Sequence, residues 1–147
     1  MTWLRRAKET DAASIARLHR RVVRECLPYL PDLHTTEEDL SFFSSHFLPN
    51  HEVWVWDQGG IAGYCGFRDG WVAHLYVSAE HQRKGIGSAL LRKAKEGYPQ
   101  LRLWVFQRNE PAITFYERRG FNLVEQTDGT GNEEHEPDAL YQWSRDS

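Results

Sequence analysis

The stretch Leu75-Tyr76-Val77-Ser78-Ala79-Glu80-His81-Gln82-Arg83-Lys84-Gly85-Ile86-Gly87-Ser88-Ala89-Leu90-Leu91 constrains this chain more than any other. An apolar strand runs into a polar turn holding two glycines, and the turn runs straight into a helix. The first turn of a helix leaves backbone N–H groups without intrahelical acceptors, and the helix dipole adds partial positive charge there. Such an end accepts a phosphate. Gly85 and Gly87 are expected to keep Cβ atoms away from the anion, with Arg83 and Lys84 adding charge at the rim. A Walker loop is excluded, because its Lys follows the last glycine and here Lys84 precedes Gly85. A dinucleotide fingerprint is excluded as well. Leu90 stands at its third glycine, and about 20 residues on, where an acid is needed, come Val105, Phe106 and Gln107.

The elements around this loop follow from periodicity and punctuation. Trp3 to Ala7 reads as a first strand, and Thr10 or Asp11 can cap a helix that aligns Ile15, Leu18 and Val22. Pro28 and Pro31 end it. Thr35 and Glu38 form a capping box for a second helix with the stripe Leu40, Phe43 and Phe47, stopped at Pro49-Asn50. Val53 to Trp56 and Ile61 to Phe67 form a hairpin around Gly59-Gly60, and Trp71 to Val77 follows the turn at Asp69-Gly70. Gly85 opens a third helix. Leu101 to Val105 is a strand, Pro111 to Arg119 a helix closed by Gly120, and Phe121 to Glu125 and Ala139 to Trp143 are the last strands. The order is β-α-α-β-β-β-α-β-α-β-β. The strands on either side of the third helix should be parallel and the early hairpins antiparallel. The fold class is therefore α/β (α+β): a mixed, twisted central sheet of about seven strands flanked by helices. Residues 1–147 are expected to form a single domain.

Composition excludes several classes of function. Hydrophobic residues at 40% and charged residues at 27% are those of a globular protein. The net charge of -3 provides no global basic field, so no nucleic-acid partner is expected. No apolar run approaches the ~20 residues of a membrane span, and no apolar signal core follows Met1, so no membrane partner is expected. Cys26 and Cys65 lie outside any C-x-x-C spacing, which makes a reduced, cytoplasmic protein the default. There is no H-E-x-x-H, no pair of Cys ligands and no G-x-S-x-G elbow, so neither a metal site nor a serine nucleophile is expected.

Gln82-x-x-Gly85-x-Gly87 resembles the [RQ]-x-x-G-x-[GA] pyrophosphate loop of the GCN5-related N-acetyltransferase (GNAT) superfamily, and Leu75-Tyr76-Val77 is placed like that family's preceding strand. A second segment agrees: Leu103-Trp104-Val105-Phe106-Gln107-Arg108-Asn109 leads into a helix ending Phe115-Tyr116-Glu117-Arg118-Arg119-Gly120-Phe121. It is similar to the family's strand, Asn-led helix and F-Y-x-x-x-G-F ending. The resemblance covers nearly the whole chain. It implies a GNAT-like sheet and acetyl-CoA as cofactor, with coenzyme A as product. The backbone amides of Gln82, Arg83, Lys84, Gly85, Ile86, Gly87 and Ser88 would hold the pyrophosphate. Main-chain groups along Leu75, Tyr76 and Val77 would pair with the pantetheine arm, the Val77 N–H polarising the thioester carbonyl. Asn109 would bind near the pantetheine, and Tyr116 would protonate the departing thiolate. Acetyl transfer needs a neutral nitrogen, an oxyanion donor and a proton source. The absence of a nucleophile motif favours direct attack in a ternary complex, with Cys26 and Cys65 still open as acyl carriers.

Other positions have two readings each. Tyr116 is either the acid or a core-edge aromatic, and Asn109 either a cofactor ligand or the cap of its helix. His74 titrates near neutrality, but strand alternation sets it opposite Leu75 and Val77 unless a bulge intervenes. It is either a substrate-side group or a structural His. Tyr29, Leu30 and His34, between the first two helices, are either acceptor-site residues or loop packing. The acidic stretch Glu125, Asp128, Glu133, Glu134, Glu136 and Asp138 either attracts a cationic amine or forms a solvated hairpin. Trp54 or Trp56 could line a cleft. The expected partner is an amine acceptor, small molecule or peptide. A homodimer is left open, and so is a coenzyme A-binding or acyl-CoA-sensing module without turnover.

Overall fold

A computed structural model describes residues 3–146 and bears out the element order. Met1, Thr2 and Ser147, the ends of the expected 1–147 domain, lie outside the described residues. β1 (Leu4–Arg6) leads through a 3-10 turn to α1 (Ala12–Cys26). α2 (Thr36–Phe42) continues as a π-helical turn over Phe43–Phe47 and a last turn, α3 (Leu48–Asn50). β2 (Glu52–Asp57), β3 (Ile61–Arg68) and β4 (Trp71–Val77) form the meander. Then come α4 (Ile86–Gly97), β5 (Gln100–Phe106), α5 (Glu110–Glu117), β6 (Asn122–Gln126) and β7 (Asp138–Ser144). The seven strands of the described residues make one mixed sheet, ordered β1-β2-β3-β4-β5-β7-β6. Among the described residues no helix is long and apolar enough to cross a membrane.

Local signals hold where partners are local. Thr35 accepts the Glu38 N–H at 3.1 Å while Glu38 accepts the Thr35 N–H at 2.8 Å, the expected capping box. The start of α1 differs from expectation. The Asp11 carboxylate caps nothing ahead of it; it accepts the Lys8 N–H at 2.7 Å and two bonds from Arg5 at 2.8 and 3.0 Å. Arg5 also binds Asp57, so Asp11 helps tie β1 to α1 and β2 instead. In the second helix Phe43 and Phe47 of the π turn are buried, whereas Leu40, in the α-helical part before it, is exposed.

Alternation divides the sheet into two faces. Val53, Val55 and Tyr64 pack with Ile15, Leu18, Phe43 and Phe47 under α1 and α2. Cys65, Phe67, Leu101, Leu103 and Tyr141 pack with Leu90 and Leu91 under α4 and α5. Trp54 and Trp56 lie against this second core, Trp54 beneath the Lys93 ammonium at 4.3 Å, so both serve packing.

β4 and β5 are parallel, as expected, but share a single register position, Trp71 with Arg102. β3 follows β4 as far as Val77. Opposite Gly66-Phe67, Val72 pairs with Phe67 and His74 with Gly66, leaving Ala73 as an extra residue. Such a bulge bends its strand. Beyond it the sheet is open between the C-terminal half of β4 and β5.

Candidate active site

The open seam ends at the loop before α4. Ser78 donates its N–H to the Ala62 carbonyl at 2.8 Å, a 3-10 turn follows over Ala79–His81, and Gly85 caps α4 at φ +83. The first helical bond runs from the Ala89 N–H to the Gly85 carbonyl at 3.1 Å. Among the described residues, the N–H groups from Arg83 to Ser88 have no protein acceptor. A run of free donors at a helix start is what an anion would need, and it is one residue shorter than the sequence suggests. The Gln82 N–H is already turned to Ala79 at 3.5 Å, and its side chain does other work, donating to the Val77 carbonyl at 3.0 Å. The two glycines also divide their roles. A Cβ on Gly85 would meet nothing, so its left-handed φ is the requirement. A Cβ on Gly87 would lie 3.1 Å from the Phe115 ring, so Gly87 serves the packing of α4 on α5.

Arg119 was not legible as part of this site. Its guanidinium donates to Ser88 Oγ at 2.7 and 2.9 Å and stacks 3.7 Å over the Phe115 ring, fixing α5 to the start of α4. Its only sequence signal is the four-residue spacing from Phe115 on one helical face.

The Ser78–Ala62 bond sets the hydrogen-bonding parity of the preceding strand. In an antiparallel pair alternate residues bond the same neighbour. The Tyr76 main chain therefore faces Tyr64 on β3, whereas the N–H and C=O of Leu75 and Val77 face the open seam. Gln82 occupies the Val77 carbonyl; the Val77 N–H and both groups of Leu75 line the gap. This corrects the expectation for Tyr76, whose main chain is turned away and whose side chain projects to the α1 face.

Tyr116 lies on the other side of the seam, its ring edge-on to Phe115 at 5.3 Å and Phe121 at 5.4 Å. Burial, then the neighbouring Cys65 and Tyr76, raises its pKa well above the usual tyrosine range. Among the described residues its hydroxyl has no partner, and it is not sealed from solvent. Asn109 does cap α5, its Oδ1 accepting the Ala112 N–H at 3.4 Å, which leaves its amide N–H₂ free. Cys65 is fully buried and burial pushes its thiol up, so it offers no ready thiolate. Cys26 is exposed, within 3.7 Å of the Gln82 amide.

His74 is held among aromatic side chains on the α1 face, which supports the structural reading of it. The bulge precedes it, so alternation holds and it shares the α1 face with Tyr76. Its Nδ1 meets the Tyr64 hydroxyl at 2.9 Å, and its ring stacks on His19 at 5.2 Å. Burial, with His19 and His51 nearby, holds its pKa well below the ordinary value. Tyr29 and His34 lie against the 127–137 connection and Arg108. His34 pairs with Glu133, and Arg108 lies 4.6 Å over the Tyr29 ring while binding Glu136 at 2.9 and 3.0 Å. Glu136 is buried and ties the 127–137 connection down, while Glu125, Asp128 and Glu133 of the acidic stretch stay exposed.

The acetyltransferase (GNAT) domain profile matches residues 49–123. The peptidyl-lysine N-acetyltransferase YiaC of Escherichia coli (strain K12) is 33% identical over 104 residues, 69% of this chain and 62% of that protein. The match thus spans less than two thirds of that relative. The uncharacterized N-acetyltransferase YuaI of Bacillus subtilis (strain 168) is 32% identical over 138 residues, covering 80% of this chain and 78% of that one. Among solved structures, apo-form YjaB from Escherichia coli superposes with a TM-score of 0.79 at 20% identity over 97% of both chains. The acetyltransferase yncA from Salmonella typhimurium, solved with its cofactor acetyl-CoA, gives 0.75 at 22% identity, covering 100% of this chain and 95% of that one.

Proposed function

This chain belongs to the GNAT family of acetyltransferases, and we propose that it passes the acetyl group of acetyl-CoA to a primary amine by direct attack, with both substrates bound together. The observation that carries the reading is the seam between β4 and β5, lined by free main-chain groups and closed by the anion cradle of α4. Each part fits a different piece of the cofactor. The N–H groups of Arg83 to Ser88, with the Arg83 and Lys84 charges, suit a diphosphate. The Leu75 N–H and C=O suit the amides of a pantetheine arm, with the Asn109 amide beside them.

Acetyl-CoA supplies an activated thioester carbonyl; the chain supplies position and charge. The Val77 N–H is a donor for the oxygen on which negative charge develops. The Tyr116 hydroxyl, kept protonated by burial, is a proton source for a departing sulfur. The buried, protonated Cys65 supports direct attack over an acyl-enzyme. The acceptor is an amine. Two free thiols suit a reducing, cytoplasmic setting.

A thiol-release assay with acetyl-CoA across lysine peptides and small amines tests the reading. Release that depends on an amine supports it. Tight acetyl-CoA binding without release for any amine would favour a cofactor-sensing module.

A further inference from the structure

Arg119 is a half-buried cation with no acid beside it. Among the described residues it forms no ion pair, and burial, then the neighbouring Arg118, lowers its pKa. A guanidinium stays charged even so, and a charge partly withdrawn from water is costly unless an opposite charge offsets it. Its place is fixed from three sides. Its Nη1 donates to the Phe115 carbonyl at 2.9 Å, its plane lies 3.7 Å over the Phe115 ring, and its Nε and Nη2 both donate to Ser88 Oγ. A clamp between two helices needs neither a charge nor two N–H donors on one hydroxyl.

The consequence falls on Ser88. A serine hydroxyl carries two lone pairs and one O–H. Arg119 fills both lone pairs, at 2.9 and 2.7 Å, so the O–H is all that Ser88 has left to offer. A helical serine commonly turns that O–H back to the carbonyl four residues earlier. Here, among the described residues, it donates to nothing. Ser88 stands in the first turn of α4, three residues after the Gly85 cap, where the N–H groups are also free. A hydroxyl that accepts from a cation is a stronger donor, because each bond polarises the next. The cation without a counter-ion, the hydroxyl without an acceptor and the free amides share one complement, an anion with several oxygens.

We infer that Arg119 is a positioning residue for the diphosphate of acetyl-CoA, acting through Ser88, whose hydroxyl it holds with the O–H turned to a diphosphate oxygen. The inference rests on the acetyltransferase reading. It adds a side-chain pair, one member on α5, to a cradle otherwise built of main chain.

Wild type, Ser88→Ala, Arg119→Met and the double variant are titrated with coenzyme A by calorimetry. Pantetheine, which lacks the diphosphate, is titrated at millimolar concentration by NMR. Each single substitution should weaken coenzyme A binding by about 10-fold, the loss of one hydrogen bond to a charged group. Because the two side chains act as one, the double variant should also lose about 10-fold, not the roughly 100-fold of independent groups. Arg119→Lys keeps the charge with a single donor in reach and should recover part of the loss. Pantetheine affinity should be the same throughout. Additive losses, full coenzyme A affinity in Arg119→Met, or an Arg119→Lys variant no better than Arg119→Met overturns the inference. So does an equal loss with pantetheine, the result of a mere clamp on α5, which carries Tyr116. Should Arg119→Met fail to fold, Ser88→Ala and Arg119→Lys against the two ligands make the same comparison. Failure of the wild type to bind coenzyme A would instead overturn the function on which the inference rests.

Discussion

Gln82 donates its side-chain amide to the Val77 carbonyl at 3.0 Å, joining the loop before α4 to the end of β4. The bond fixes the anion cradle relative to the open seam and satisfies a carbonyl that β5 has left behind. A net hydrogen bond contributes about 0.5–1.5 kcal/mol. Gln82→Leu should therefore weaken acetyl-CoA binding by about 3- to 10-fold, measured by calorimetry, with secondary structure retained. Unchanged affinity would show that the bond does not organise the site.

Tyr116→Phe removes one hydroxyl that has no partner among the described residues, so folding and acetyl-CoA affinity should survive. Loss of a positioned proton donor costs ~10²–10⁴-fold, and a thiolate leaves readily, so the low end of that range is expected in kcat. Because burial lifts the Tyr116 pKa above the usual range, its own ionisation should not lower activity below about pH 10. An unchanged kcat with chemistry rate-limiting would make Tyr116 a packing residue.

Acid should destabilise this fold through the histidines under α1. Burial lowers His19 from 6.5 to about 4, and His74 shifts in the same direction. Between pH 6.5 and about 4 the unfolded chain thus binds more protons than the folded one. The stabilisation is present above pH 6.5 and is lost as pH falls, by at most ~1.4 kcal/mol per pH unit for each group. Urea unfolding at pH 7 and pH 5 should show the loss, and His19→Phe, which keeps a stacked ring, should reduce the pH slope. The same slope in both proteins would contradict this assignment.

What the sequence made legible was local. The Thr35–Glu38 box, the turns at Gly59-Gly60 and Asp69-Gly70, and the α4 loop all lie within a few residues of their partners, and all are present. The strands were equally readable, because alternation requires no knowledge of neighbours. What escaped depends on residues far apart in the chain. Asp11 reads as a cap until Arg5 and Asp57 come beside it, and Gly87 reads as clearance for an anion until Phe115 packs against it. Tyr76 loses its expected role through pairing parity, fixed by a bond from Ser78 to Ala62. Glu133 and Glu136 read as solvated acids until His34 and Arg108, far away in the chain, pair with them.

The central claim is that acetyl-CoA lies along the β4–β5 seam with its diphosphate on the start of α4. Backbone hydrogen exchange read amide by amide, with and without acetyl-CoA, tests it most directly, since free N–H groups exchange quickly until a ligand bonds them. The account predicts that acetyl-CoA slows exchange at Arg83 through Ser88, Leu75 and Val77, and changes Tyr76, already bonded to β3, far less. Protection elsewhere with these amides unchanged would contradict it.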